Sequence, residues 1–245
     1  MGLTDDVYYR RDLALVHHRA FGFHADRCAP GIRDLLEPVR RRNGVVVELG
    51  CGSGLLTRHL LDRGHNVIAT DASPAMLDVA REHAAGADIR QLVLPDDPLP
   101  AADAIVSVGH VLSYLPDEAA IERALVAIAR AVPPDGLFAI DICNVDYAEA
   151  RPDAPGFGRV GDDWAIVTTY SRPSPGRFVR HITSFVRNDD DSWRRDDERH
   201  ENVLTETSRV PGLLAEHGVD VTLTSSFGSE TLPAGLHVLI GRRTP

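Results

Sequence analysis

Residues 45–56, Val-Val-Val-Glu-Leu-Gly-Cys-Gly-Ser-Gly-Leu-Leu, constrain the fold more than any other stretch of the chain. Three β-branched residues lead into an acid, three glycines alternate with other residues, and a helical pattern follows. That order reads as a buried strand, a tight turn and a helix start. Positions without a side chain let a ligand approach the backbone closely. The helix N-terminus adds free N–H groups and the positive end of a dipole. A dinucleotide-binding turn has the spacing G-x-G-x-x-G. Its last glycine would fall at position 55, which is Leu55; the third glycine is Gly54, so the spacing is G-x-G-x-G after Glu48.

A second element follows in Val67-Ile68-Ala69-Thr70-Asp71-Ala72-Ser73-Pro74-Ala75-Met76-Leu77. It is another short apolar strand ending in an acid. Asp71 lies roughly 20 residues beyond the glycine turn, the distance at which an acid grips ribose hydroxyls. A carboxylate accepts two hydrogen bonds at once, which suits a cis-diol. Ser73 reads as an N-cap and Pro74 as the first helical residue. Alone, Asp71 could equally be a capping acid; with the glycine turn it points to a nucleoside-containing ligand.

Composition narrows the partners. The net charge is −10, against the basic footprint of a nucleic-acid binder. All 26 Lys+Arg positions are Arg, so the lysine of a P-loop and lysine Schiff-base chemistry are excluded. The Arg-only, Ala-rich usage suggests a high-GC bacterial source. No apolar run approaches the ~20 residues of a membrane span, so no membrane partner is expected. The start, Met1-Gly2-Leu3-Thr4-Asp5-Asp6, is polar and acidic, with no secretory signal visible and no Ser or Thr at position 6 to complete a myristoylation motif. Cys28, Cys51 and Cys143 are widely spaced, which fits reduced thiols and a cytoplasmic protein.

Along the chain, Leu13, Val16 and Ala20 recur at helical spacing in 7–23, a segment that also holds Tyr8, Tyr9, His17 and Phe21. A helix over 24–42 shows Ile32, Leu35, Leu36 and Val39 on one face, with Pro30 expected to open it. Further strands are expected at Ile89–Leu94, Ala104–Gly109 and Leu137–Cys143. Helices alternate with them, and the pattern implies a parallel, doubly wound sheet. Residues 151–161 read as loop. Trp164–Tyr170, Arg177–Arg187 and Trp193–Leu204 then read as a three-stranded antiparallel meander. Ser208 is expected to cap a helix through His217, and Val221–Phe227 and Leu236–Ile240 close the sheet.

Motif for motif, the chain resembles the class I S-adenosylmethionine-dependent methyltransferases: Glu48-Leu49-Gly50-Cys51-Gly52-Ser53-Gly54 matches their first motif, and Asp71–Leu77 their second element. The stretch Gly109-His110-Val111-Leu112-Ser113-Tyr114-Leu115, the β-rich insertion and Arg194-Arg195 through His200 resemble a bacterial small-molecule branch that includes amino-sugar N-methyltransferases. Many relatives carry Glu and Asn where this chain has His110 and Ser113. The resemblance implies an α/β fold: a Rossmann-like, doubly wound, seven-stranded sheet with an antiparallel β insertion after the fifth strand and an N-terminal helical lid. The boundaries it suggests are 1–43 for the lid, 44–150 for the cofactor-binding core, 151–206 for a substrate-side insertion and 207–245 for the closing elements.

It also implies site residues. Glu48 and the backbone of Gly50, Cys51 and Gly52 would hold the methionine end of S-adenosylmethionine, and Asp71 its ribose. Ala72 and Met76 would meet the adenine region, with Leu94 or Asp96 near its amino group and Gly109 beside the cofactor. Tyr8, Tyr9, His17 and Phe21 on the lid, and Arg180, His181 and His200 on the insertion, are candidates to reach the substrate; the alternatives are core packing for the first set and a solvated sheet edge for the second. His110 and Tyr114 fall beyond the carboxyl end of the fourth strand, where ligands of α/β sheets sit. His110 is the best base candidate because its ordinary pKa is near neutral, although it could instead bind substrate or pack.

The expected activity is methyl transfer to an N or O atom of a small molecule, by in-line displacement and with no metal. A protein or peptide methyltransferase and a catalytically silent cofactor-binding partner protein are the alternatives. The expected partner is a small-molecule acceptor, and a homodimer is compatible with the reading.

Overall fold

The computed structural model describes residues 8–149, 151 and 156–243; the start of the chain and part of the expected 151–161 loop lie outside those residues. Two helices open it, α1 (Arg11–Ala20) and α2 (Phe23–Arg41). An alternating series follows: β1 (Val45–Leu49), α3 (Leu55–Leu61), β2 (Asn66–Asp71), α4 (Pro74–His83), β3 (Asp88–Gln91), β4 (Ala104–Ser107), α5 (Glu118–Ala131) and β5 (Leu137–Cys143). Next come four strands, β6 (Phe157–Val160), β7 (Trp164–Ser174), β8 (Arg177–Arg187) and β9 (Trp193–Val203), and then α6 (Val210–Ala215), β10 (Val219–Thr224) and β11 (Leu236–Arg243).

The larger sheet has seven strands in the order β10-β11-β5-β4-β1-β2-β3. Strands β1 to β5 pair in parallel, and β11 runs antiparallel to both β5 and β10. Its central strands are apolar on both faces because helices cover both. One face buries Ile32 and Leu36 of α2, Leu56 and Leu60 of α3 and Leu77 of α4. The other buries Leu125 and Ile128 of α5 with Val210 and Leu214 of α6. This is the doubly wound, seven-stranded fold expected above, and no helix among the described residues is long and apolar enough to cross a membrane.

The second sheet is an antiparallel meander in the order β6-β7-β8-β9. It has four strands rather than the expected three: Phe157–Val160 pairs with β7 from within the segment read as loop. All four of its residues are exposed, so it lacks the in–out alternation that marks a half-buried strand. The inner face of the meander receives the lid. Leu13, Val16 and Ala20 of α1 form one buried cluster with Trp164, Ile166, Ile182 and Val186. Polar ties reinforce it: Arg194 donates to both carboxylate oxygens of Asp12, at 3.0 and 2.7 Å, and Arg10 pairs with Asp196.

Three local expectations are corrected. Pro30 does not open α2; the helix starts at Phe23, and Pro30 lies within it on an exposed face. Ser208 caps nothing: it sits in a short 3-10 turn, Thr207–Arg209, and its hydroxyl donates to Glu206 at 2.8 Å. The third strand ends at Gln91, whose pairing with Asp71, completed by the bond from Leu92 N to Asp71 O (3.0 Å), is the last of the β2–β3 register.

The β5–β11 contact tolerates no extra volume at Gly241. A Cβ there would lie 2.1 Å from the ring of Phe138, its cross-strand neighbour, which is fully buried. Overpacking of this kind costs about 1–3 kcal/mol. Gly241→Ala should therefore lower the thermal midpoint by several degrees, about 2–4 °C per kcal/mol for a chain of this size; an unchanged midpoint in scanning calorimetry would contradict the packing described.

Candidate active site

One cavity of about 350 Å³ opens beyond the carboxyl ends of β1, β2 and β4. Its floor is the glycine turn. Gly50, Gly52 and Gly54 have φ of 67°, 54° and 81°, the left-handed region in which only glycine is unstrained. A Cβ on Gly50 would strike the Val111 side chain at 2.3 Å, whereas one on Gly52 would meet nothing nearer than Met76 at 3.9 Å and would stand in the open cavity. The alternation thus closes the turn at one glycine and keeps ligand space at the next.

Asp71 at the end of β2 holds the turn in place. Its two oxygens accept from Gly52 N (2.9 Å) and Ser73 N (2.8 Å). Burial raises its pKa, and those backbone donors pull the other way. Ser73 caps α4 by accepting from Met76 N, and its hydroxyl donates to Tyr9 O at 2.8 Å, which ties the lid to the same corner. Glu48 is buried beneath the turn and accepts from the Thr57 hydroxyl at 2.6 Å. Burial pushes its carboxyl up to about 8, the Thr57 contact opposing.

The roof and far wall come from the first described residues and from the loop after β4. Tyr8, Tyr9, His17 and Phe21 all line the cavity, as do Ala72, Met76, Leu94, Gly109 and Tyr114. The lid also touches the turn directly, His18 Nδ1 lying 3.0 Å from Ser53 Oγ. Gly109 (φ 97°) and His110 (φ 51°) make the bend after β4, and the buried Asp141 fixes it by accepting from Gly109 N (3.1 Å) and His110 N (2.7 Å). The Tyr114 hydroxyl lies 3.0 Å from that of Tyr9 and accepts from Arg180. Burial raises the Tyr114 pKa well above that of an ordinary phenol, Arg180 opposing.

Five sequence candidates are absent from the cavity lining, and the first, Arg180, reaches it only through Tyr114, to whose hydroxyl it donates. Asp96 is exposed and absent from the lining; the wall at that height is Leu92, Val93 and Leu94. His181 is exposed and meets Ser171, because neighbours on a strand face opposite ways and Arg180 is the one turned inward. His200 is buried behind the lid and meets Glu198 at 2.9 Å. His110 packs parallel to the Tyr114 ring, 5.8 Å away, with neither ring nitrogen hydrogen-bonded. Burial first, and Arg180 next, lower its pKa to about 3, which makes it a poor base near neutrality.

Glu198 is the residue that sequence reasoning missed. Its carboxylate accepts from the backbone N–H of Tyr9 (2.7 Å) and Arg10 (2.9 Å) and meets His200. It anchors the lid from the insertion side as Ser73 does from the core side. Within the acidic run Asp196, Asp197 and Glu198 nothing in the sequence singles it out; its burial, at 6% exposure, on the face it shares with His200 and Asn202 does so.

Residues 46–136 match the family described as "Methyltransferase domain". The ubiquinone biosynthesis O-methyltransferase of Methylocella silvestris is 35% identical over 137 residues, 54% of this chain and 49% of that protein. Among solved structures, the sugar N-methyltransferase KedS8 from Streptoalloteichus superposes with a TM-score of 0.76 at 19% identity, covering 100% of this chain and 98% of that one. CalS10 of Micromonospora echinaspora, an amino pentose methyltransferase solved with S-adenosylmethionine bound, gives 0.71 at 16% identity, covering 97% and 98%. At these identities the structural matches speak for the fold. Residues 46–136 thus match a methyltransferase domain, and the whole chain, with its sheet order and the glycine turn at its switch point, has the fold of these S-adenosylmethionine-dependent methyltransferases.

Proposed function

We propose that the protein moves a methyl group from S-adenosylmethionine to a nitrogen or oxygen atom of a small molecule by in-line displacement. The observation that carries this reading is that one cavity joins the glycine turn and Asp71 to the aromatic lid and Tyr114. Its volume, about 350 Å³, is in the range for a small-molecule site. A roof tied at Tyr9 to both the core and the insertion leaves little entry for a folded protein acceptor, and the net charge of −10 disfavours nucleic acid.

The residues present fit the cofactor. Each Asp71 oxygen keeps a lone pair beyond its backbone contact, enough for two ribose hydroxyls. The open space over Gly52 admits the amino-acid end, with Glu48 and Cys51 beside it. Ala72, Met76 and Leu94 offer an apolar slot for the base. The bound cofactor supplies an electrophilic methyl on a sulfonium whose departure leaves a neutral sulfur. The protein's part is alignment and exclusion of water, and orientation alone can be worth about 7–11 kcal/mol. Tyr8, Tyr9, His17 and Phe21 shut the site, while Tyr114, which keeps its proton, can donate to the acceptor. A neutral amine needs no more than this. We therefore favour nitrogen as the accepting atom, since the lowered His110 pKa leaves a hydroxyl without a good base. In this reading residues 1–43 are the lid, 44–150 and 207–245 the core, and 151–206 the acceptor side. The free, buried cysteines Cys28, Cys51 and Cys143 fit a cytoplasmic setting.

Two measurements test the cofactor assignment. Asp71→Ala should raise the Kd for S-adenosylhomocysteine about 10- to 100-fold, the worth of one or two hydrogen bonds to a charged group; unchanged affinity in calorimetry would sink the ribose role. Glu48 adds a proton signature. Its folded pKa, about 8, lies above the ordinary 4.5, so the free protein holds a proton the unfolded chain loses. The stability this contributes is complete below 4.5 and declines as pH rises towards 8. A cationic ligand beside it should release that proton. Titrations with S-adenosylmethionine at pH 7 in buffers of different ionisation enthalpy should show proton release in the wild type and none in Glu48→Gln; equal release in both would exclude Glu48 as its source.

A further inference from the structure

We propose that the acceptor carries an oxyanion, a carboxylate or a phosphoryl group, which Arg180 receives where Tyr114 separates it from the cavity. The inference rests on the methyltransferase reading and adds the charge of the substrate to it.

Arg180 lies on β8, paired across the sheet with His200 of β9 and Tyr170 of β7. Its guanidinium turns inward, over the Tyr114 ring at 5.5 Å. It donates to two neutral oxygens, the Tyr114 hydroxyl and Asn202 Oδ1, the latter at 3.4 Å. Its Nε is sealed from solvent and has no partner. No ion pair joins it to a carboxylate among the described residues, although most arginines of the same sheet have one, Arg177, Arg187, Arg194, Arg195 and Arg199 among them.

A buried guanidinium without a counter-charge is costly, and the buried carboxylates Glu198 and Asp141 are committed elsewhere. Glu198 is occupied by the Tyr9 and Arg10 N–H groups and His200. Asp141 is occupied by the Gly109 and His110 N–H groups and by His24. Burial raises the pKa of Tyr114 and Tyr147 beside Arg180, so these phenols keep their protons. Its neighbours add further unanswered polar atoms: Asn202 Nδ2, His200 Nδ1 and both nitrogens of His110 are buried and unpartnered. The Arg180 and Asn202 atoms are donors only. Burial, with Arg180 contributing, lowers the pKa of His110 and His200, so these rings stay neutral and Arg180 remains the formal charge of the cluster. Donors in excess, one fixed positive charge and no acid to meet it describe a receptor for an oxyanion, which a guanidinium fork binds through two oxygens at once. Tyr114 lines the cofactor cavity, and its hydroxyl is the oxygen Arg180 now grips. An acceptor oxygen arriving there would take over that contact, within reach of the transferred methyl.

The test is calorimetric titration of the full chain saturated with S-adenosylhomocysteine, using benzoate, phenyl phosphate and benzamide as probes. At least one anion should bind tenfold or more tightly than benzamide, and which one decides between carboxylate and phosphoryl. Arg180→Met should remove the preference; Arg180→Gln carries the same expectation should the methionine variant not fold. Equal affinity for the three probes, no binding of either anion, or a preference that survives loss of the guanidinium would each overturn the assignment. Loss of S-adenosylhomocysteine binding by the wild type would instead overturn the methyltransferase reading beneath it.

Discussion

The site depends on the way Asp71 divides its carboxylate. One oxygen holds Gly52 N in the turn and the other holds Ser73 N at the head of α4. Glycines can adopt the positive φ that the turn needs, but they do not by themselves choose it, because glycine pays more conformational entropy than any other residue. A charge-assisted acceptor at the end of the neighbouring strand supplies the choice. It does so across a parallel β1–β2 pairing, in which Leu49 meets Thr70, so the turn and the acid arrive side by side. The arrangement that rigidifies the free protein also points a carboxylate into the cavity. In the proposed function, fold and ligand recognition draw on the same group.

The lid extends this logic across two sheets. Tyr9, among its first described residues, is held by Ser73 of the core and by Glu198 of the meander, and α1 packs its apolar face against the meander. Lid and meander therefore form one packed unit, tied to the core by polar contacts such as Ser73–Tyr9 and His18–Ser53 and by apolar packing of Phe178 and Val203. Opening the site for exchange would break those contacts and leave the α1 cluster intact. The insertion thus serves as the platform of the lid.

The features legible in the sequence are those whose physics is local. The glycine turn, the Ser73 cap and the apolar strands follow from sterics, capping and periodicity within a dozen residues, and they were enough to expect the sheet. What could not be read depends on partners far apart in the chain. Glu198 acts on Tyr9 across 189 positions. Arg180 matters because of what does not surround it. The imidazole of His110 lies outside the cavity because Asp141, a neighbour across the sheet, fixes its backbone. Strand β6 escaped notice because an exposed edge strand needs no alternation, only a partner with free hydrogen-bonding groups.

The central claim is that the cavity between the glycine turn and the lid is a S-adenosylmethionine site. Calorimetric titration of the purified chain with S-adenosylmethionine, followed by S-adenosylhomocysteine, tests it most directly. The account predicts saturable binding of both with one molecule per chain. A folded protein that binds neither would contradict it.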